Sequence, residues 1–329
     1  MSSWISAHLF YNEPWEEFLV NGLSPFIAKV QNEQLISQFF FIRYWEKGPH
    51  IRLRMKGSSE ELKPLIQSEF SQCFKKNPSH RINPEWLNKL PENQKWFQNN
   101  TIQFIAYEPE IDRYGGLKAI GIAERQFQYS SEAILDILRN SYQDWDYNKA
   151  LGTAIQLHLG FAHGVGMSLK EAIAFYTKFL NNWLPRAYAN YGEKLDQNEH
   201  KHRRKRTLDL FKENFVSHEK DLTPFFEQVW FALDEGDEFE QNWLNSWVRN
   251  MMITKRELLN IHTQKLLIKP EWYIIDSNLE EWVDHQLFWS VYESYIHMTN
   301  NRLGILNRDE GYLAYLIKES FSLLQKSHA

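Results

Sequence analysis

His50, Arg52 and Arg54 are spaced by two within the apolar run Phe39–Met55. In an extended strand alternate side chains share a face. These three therefore project together, with Ile51, Leu53 and Met55 on the reverse. Charged groups are costly to bury without a partner, so this trio marks a candidate for chemistry. The same alternation also fits the outer face of an antiparallel sheet, where arginine is ordinary. A second candidate is His297, four residues after Glu293 on an aromatic helical stretch. Residues four apart meet on one helix face, and a carboxylate there would favour the imidazolium or orient the ring. Histidine, with an ordinary pKa of about 6.5, is the usual proton carrier near neutrality. A histidine hydrogen-bonded inside helix packing gives the same pattern.

Other histidines carry less. His158 and His163 are five apart, off a common helix face, and His200 and His202 sit in a charge run. No HExxH or Cys–His finger spacing occurs, so no metal and no cofactor is expected. Neither a glycine-rich nucleotide loop nor a Gly-x-Ser-x-Gly elbow is present, which sets aside nucleotide-dependent chemistry and serine hydrolysis. The run His200–Arg206 reads as a solvated loop or helix start, or as a docking site for an acidic peptide or partner.

The elements that must position these groups follow from patterning. Trp4–Tyr11 reads as a strand, and Asn12 to about Val30 as a helix bearing Phe18, Leu19, Phe26 and Ile27. Glu46-Lys47-Gly48-Pro49 is a turn cluster, making the flanking runs a hairpin. Ser58-Ser-Glu-Glu61 and Ser168-Leu-Lys-Glu171 are capping boxes that open helices. Residues 77–100, with Pro78, Pro84 and Pro91, read as a long surface loop, and Thr101–Tyr107 as another strand. The paired glycines Gly115 and Gly116 permit backbone angles that other residues avoid. Helical periodicity dominates from Ser130 onward, with long helices expected near 219–234 and 238–263 and two more between Leu279 and about Lys326. The expectation is an α+β chain, with a β-rich part over about 1–129 packed on a predominantly helical part over about 130–329.

Composition bounds the function. The chain has 329 residues, 43% of them hydrophobic, which is ample for a core. Its net charge of −5 gives no reason to expect nucleic acid or an anionic membrane as partner. The single cysteine, Cys73, forbids an intramolecular disulfide and suggests a reducing, cytoplasmic setting; flanked by Phe70 and Phe74, it reads as a small buried hydrophobe. The N-terminus lacks a signal-peptide pattern, and no run approaches the ~18 apolar residues of a membrane span.

Three stretches occur in a telling order: Phe-Phe-Ile-Arg-Tyr-Trp-Glu-Lys-Gly-Pro-His-Ile-Arg-Leu-Arg (40–54), Tyr-Glu-Pro-Glu-Ile-Asp-Arg-Tyr-Gly-Gly (107–116) and His-Met-Thr-Asn-Asn-Arg-Leu (297–303). Together with Trp-Ile-Ser-Ala-His-Leu-Phe (4–10) and Ala-Glu-Arg-Gln-Phe (123–127), they resemble the elimination domain of class I lantibiotic dehydratases, also called the thiopeptide-type bacteriocin biosynthesis domain. The resemblance covers essentially the whole chain and implies one domain over 1–329. In that family a glutamylation module esterifies Ser or Thr of a precursor peptide with glutamate from glutamyl-tRNA, and the elimination domain removes the glutamate. The chain resembles the split arrangement, in which a separate glutamylation protein is the partner.

The resemblance places the family's elimination residues on Arg52, Arg54, Arg113 and His297, and the same motifs offer His50, Arg43, Tyr114 and Arg302 as substrate-binding groups. Guanidinium groups can hold carboxylates bidentately and stabilise developing negative charge, while His297 serves as general base, as acid toward departing glutamate, or as an orienting group. The product would be dehydroalanine or dehydrobutyrine in a lanthipeptide or thiopeptide. Sister proteins of this fold perform the [4+2] cycloaddition that closes a thiopeptide pyridine ring. A non-catalytic peptide-binding subunit is a third alternative. The aromatic richness is compatible with a homodimer.

Overall fold

The computed structural model describes residues 3–81, 84–190 and 192–327; Ile82 and Asn83 of the expected surface loop lie outside that range. The chain forms two compact units, one built from the residues up to Pro109 with Phe127–Trp145, the other from Glu110–Gln126 with Asp146 onward. The expected α+β class is borne out, with one small antiparallel sheet and helices elsewhere.

In the first unit the strands are β1 (Ser3–Phe10), β2 (Ile36–Tyr44), β3 (His50–Gly57) and β4 (Thr101–Phe104), in the order β2-β3-β1-β4. The expected hairpin is β2–β3, paired from Ile36 opposite Gly57 to Tyr44 opposite His50. Its loop turns through Lys47 at φ 58° and Gly48 at φ 108°, the left-handed region that glycine tolerates. β3 alternates as its sequence requires: Ile51, Leu53 and Met55 are fully buried, each contributing roughly 1.5–3 kcal/mol. His50, Arg52 and Arg54 share the other face. The segment after Asn12 is helical through Glu16–Phe18, a π-type stretch Leu19–Leu23 and α1 (Ser24–Asn32). Its Phe18, Leu19, Phe26 and Ile27 are all buried, as the pattern requires. Helix α2 (Ser59–Lys76) follows β3; Ser58 stands at its N-cap in extended conformation, but its side chain makes no capping bond.

Helix α3 (Ile120–Ser141) begins ten residues before the expected start of helical structure and runs unbroken through the boundary after Gln126. The second unit adds α4 (Tyr147–Gly164), α5 (Leu169–Trp183), the short α6 (Pro185–Tyr188), α7 (Gln197–Glu235), α8 (Asn242–Thr263), α9 (Gln286–Leu303) and α10 (Glu310–Ser327). The Ser168 box behaves as its sequence says, the hydroxyl accepting from the Glu171 amide at 3.2 Å. One expectation needs correction. The helix expected near 219–234 is the last part of the 39-residue α7, which includes the basic run His200–Arg206. Asp196 starts it by accepting from the Asn198 and Glu199 amides, and the helix continues through Pro224. The basic run thus takes the helix-start reading, the proline gives up one backbone hydrogen bond, and Phe215, Phe226, Val229, Trp230 and Leu233 bury one side of the helix.

Candidate active site

The eight predicted site residues divide evenly between the units: Arg43, His50, Arg52 and Arg54 in the first, Arg113, Tyr114, His297 and Arg302 in the second. On the sheet, His50 is almost fully buried and doubly engaged. Its Nδ1 donates to the Gly48 carbonyl at 2.8 Å, and its Nε2 accepts from Arg52 Nε at 3.2 Å. A carbonyl can only accept and a guanidinium only donate, so the tautomer is fixed and the ring is neutral. Burial pushes its pKa down to about 4, the bond to Gly48 opposing and Arg52 adding to the fall. His8, opposite Arg52 in β1, stacks on the His50 ring at 5.0 Å, and burial with His50 and the arginines takes its pKa down to about 3. His50 thus works as a strut for Arg52. That guanidinium lies 3.4 Å from the Tyr44 ring centroid and 3.3 Å from the exposed Glu46 carboxylate. Arg54 is held 4.2 Å from the Tyr107 ring. Arg43 pairs across from Ile51 and so occupies the opposite face of the sheet, where it donates to Glu16 at 2.7 Å.

In the second unit, Asp112–Tyr114 forms a single 3₁₀ turn that ends in Gly115 and Gly116, both at positive φ (91° and 94°). A Cβ on Gly115 would stand 2.6 Å from Leu267 and 3.2 Å from Val291, so the turn needs glycine for its angle and for its clearance. It directs Arg113 toward α9: Nε donates to Ser294 Oγ at 3.4 Å and Nη1 to Glu110 at 3.1 Å. Burial opposes the Arg113 charge, but Tyr114, Glu110 and Glu310 outweigh it, and the net shift is upward. Tyr114 is buried, stacked 6.1 Å from Tyr295. Arg302 is fully buried and donates to the Met298 carbonyl at 2.7 Å.

The expected pairing of Glu293 with His297 is not formed. His297 Nδ1 lies 2.7 Å from Oε1 of Glu310, a fully buried residue at the start of α10. The other Glu310 oxygen accepts from Asn300 Nδ2 at 3.2 Å, and Asn300 Oδ1 accepts from the buried, neutral His158 at 2.9 Å. Burial lowers the His158 pKa to about 4. Nδ1 gives its proton to a carboxylate, and Nε2, where the neutral ring carries its lone pair, has no hydrogen-bond partner among the described residues. That is the arrangement of a general base held by a third group.

His297 packs 4.5 Å from Trp183 at the end of α5, and Trp183 is one wall of a cavity of about 400 Å³. The cavity is also lined by Arg113, Asn182, Arg186, Trp272, Ile274, Glu293 and Ser294. Glu293 is buried, and both its oxygens accept from Asn182 Nδ2, at 2.9 and 3.0 Å. Burial lifts its pKa to about 7, with Asn182, Lys178 and Arg186 restraining the rise. Among the described residues no three His, Cys, Asp or Glu side chains gather as a metal site, and no helix is long and apolar enough to cross a membrane.

Sequence reasoning missed Glu310, Arg186, Trp183 and Asn182. For Glu310 a signal existed. Gly304 reverses the chain after α9 at φ 94°, with His297 about two helical turns before that reversal and Glu310 at the start of the next helix after it.

The model of the lantibiotic biosynthesis dehydratase C-terminal family matches residues 4–321. The chain belongs to that family. The resemblance drawn from the three motifs is borne out to this extent. The epidermin biosynthesis protein EpiB of Staphylococcus epidermidis is 24% identical over 144 residues, covering 44% of this chain and 13% of EpiB. The family chain described here thus spans only a small part of that relative's length. Two solved structures share its fold. The pyridine synthase TbtD from thiomuracin biosynthesis has a TM-score of 0.74 at 14% identity, covering 98% of this chain and 99% of TbtD. The tRNA-dependent lantibiotic dehydratase MibB from Microbispora sp. 107891 has a TM-score of 0.59 at 17% identity, covering 99% of this chain and 28% of MibB.

Proposed function

We propose that the chain removes glutamate from glutamylated Ser or Thr residues of a ribosomally made peptide, leaving dehydroalanine or dehydrobutyrine. A separate glutamyl-tRNA-dependent protein supplies the ester. The observation that carries this reading is the His297–Glu310 pair beside a cavity containing Arg113. In β-elimination a base takes the Cα proton, the Cα–Cβ double bond forms, and the Cβ–O bond breaks as glutamate leaves with the electron pair. His297 Nε2 is the base, and Glu310 holds the ring and stabilises the imidazolium. Arg113 meets the negative charge that grows on the departing carboxylate. A guanidinium already fixed in place stabilises such charge with little reorganisation. Arg52 and Arg54, on their own sheet face, bind the anionic parts of the glutamyl peptide.

Mass spectrometry of a glutamylated precursor peptide incubated with the protein tests the reading. Loss of one glutamic acid per modified residue, abolished in His297→Ala and Arg113→Ala, is the expected result. An intact ester sinks it, and a dehydroalanine-containing peptide offered in the same assay then tests ring-forming cycloaddition.

A further inference from the structure

Elimination itself needs a base and a site for the leaving carboxylate, yet the cavity contains a second pair of charges. Arg186 turns its guanidinium over the Trp183 ring at 4.0 Å, and its hydrogen bond is to the Asn182 carbonyl at 3.2 Å. It forms no ion pair among the described residues. Burial and the nearby Arg113 charge work against Arg186 while Glu310 and Glu293 support it; the net shift is downward. Two cationic side chains thus face one cavity; Arg113 is paired with Glu110, while Arg186 has no ion pair of its own among the described residues and is the one available to an anionic ligand. Glu293, on the same wall, is the opposite case. It is a buried carboxylate with one neutral donor, Asn182, and no ion pair. The charged or titratable groups around it are Lys178 on α5, Arg186 on α6 and the buried Tyr273. Trp183, Trp272 and Ile274 supply apolar walls, and a volume of about 400 Å³ suits a small-molecule fragment.

A cavity with cationic and anionic groups on apolar walls suits a zwitterion. A glutamyl ester presents a free ammonium at Cα and a free carboxylate on its side chain. We infer that Arg186 and Glu293 recognise the glutamyl group as an amino acid, Arg186 taking its free carboxylate and Glu293 its ammonium. This rests on the elimination reading for the identity of the acyl group. It adds that the ammonium, which takes no part in bond breaking, is read by the protein. Elimination from esters lacking that ammonium is accordingly disfavoured.

Calorimetric titration of the full chain with free L-glutamate and with glutarate, which keeps both carboxylates but lacks the ammonium, tests the inference. The wild-type protein is expected to bind glutamate about tenfold more tightly than glutarate, the scale of one charge-assisted hydrogen bond. Glu293→Gln, nearly the same shape, should bring the two ligands level, and Arg186→Ala should weaken both. The wild-type preference should grow as pH rises through about 7, where Glu293 ionises, and should be flat with pH in Glu293→Gln. Glutarate binding as tightly as glutamate, a Glu293→Gln protein that keeps the preference, or no glutamate binding at all overturns the inference. The elimination assay separates the two claims. Glutamate loss without ammonium selectivity refutes only the recognition role. Selectivity without glutamate loss refutes only the elimination reading.

Discussion

Two histidines singled out by sequence sit in opposite circumstances. His50 has both ring nitrogens engaged and its pKa depressed to about 4. His297 gives one nitrogen to the buried Glu310 and leaves the other open. The same side chain is a spacer for an arginine in one region and keeps an open nitrogen in the other. What differs is the partner at the second nitrogen: a guanidinium engages Nε2 of His50, whereas Nε2 of His297 has no hydrogen-bond partner among the described residues.

The sharpest way to break this contrast is to remove each ring in turn. His297→Ala should slow elimination by about 10²–10⁴-fold, the contribution typical of a positioned acid or base. His50→Ala should lower it far less, because Arg52 retains Tyr44 and Glu46 as contacts. Equal losses in single-turnover assays would abolish the distinction. Glu310→Gln comes next. An amide can leave the imidazole in the wrong tautomer, and loss of an orienting carboxylate elsewhere costs up to about 10⁴-fold. A variant within twofold of wild type would show that Glu310 only fills space.

Stability against pH sharpens the comparison from the other side. His8, His50 and His158 are held neutral, with folded pKa values of about 3, 4 and 4. An unfolded histidine titrates near 6.5, so the unfolded chain binds more protons between about pH 6.5 and 4. Stability should therefore be complete above that window and fall as pH drops through it. The slope is at most about 1.4 kcal/mol per pH unit for each such group. Denaturant midpoints at pH 7.5, 6 and 5 check this, and His50→Ala should flatten the curve. A smaller effect is expected of Gly115→Ala: a Cβ at φ 91° meeting Leu267 should cost about 1–3 kcal/mol and lower the melting temperature.

The sheet was largely legible because its signals are local. Period-two alternation placed His50, Arg52 and Arg54 on one face, and the Gly48 turn fixed the hairpin. The same rule, applied to β2, puts Arg43 on the reverse face beside Glu16. The cavity was less legible because its contacts join distant stretches. Glu293 has the right spacing to meet His297 on α9, but Asn182, more than a hundred residues away, draws it elsewhere. Glu310 reaches His297 only once Gly304 has turned the chain. In α7 the basic run stands in the first turns of the helix, one of the readings its sequence offered, and what patterning missed is that the same helix continues unbroken to Glu235.

The glycine pair after Arg113 has one more effect. The Ile268 amide donates to the Gly115 carbonyl at 2.9 Å, and a side chain on Gly116 would press into Ile268. This bond latches the turn that aims Arg113 to the segment that carries Trp272 and Ile274 into the cavity wall. Hydrogen exchange at Ile268 is therefore a readout of this latch, and opening it would loosen the guanidinium and the wall together.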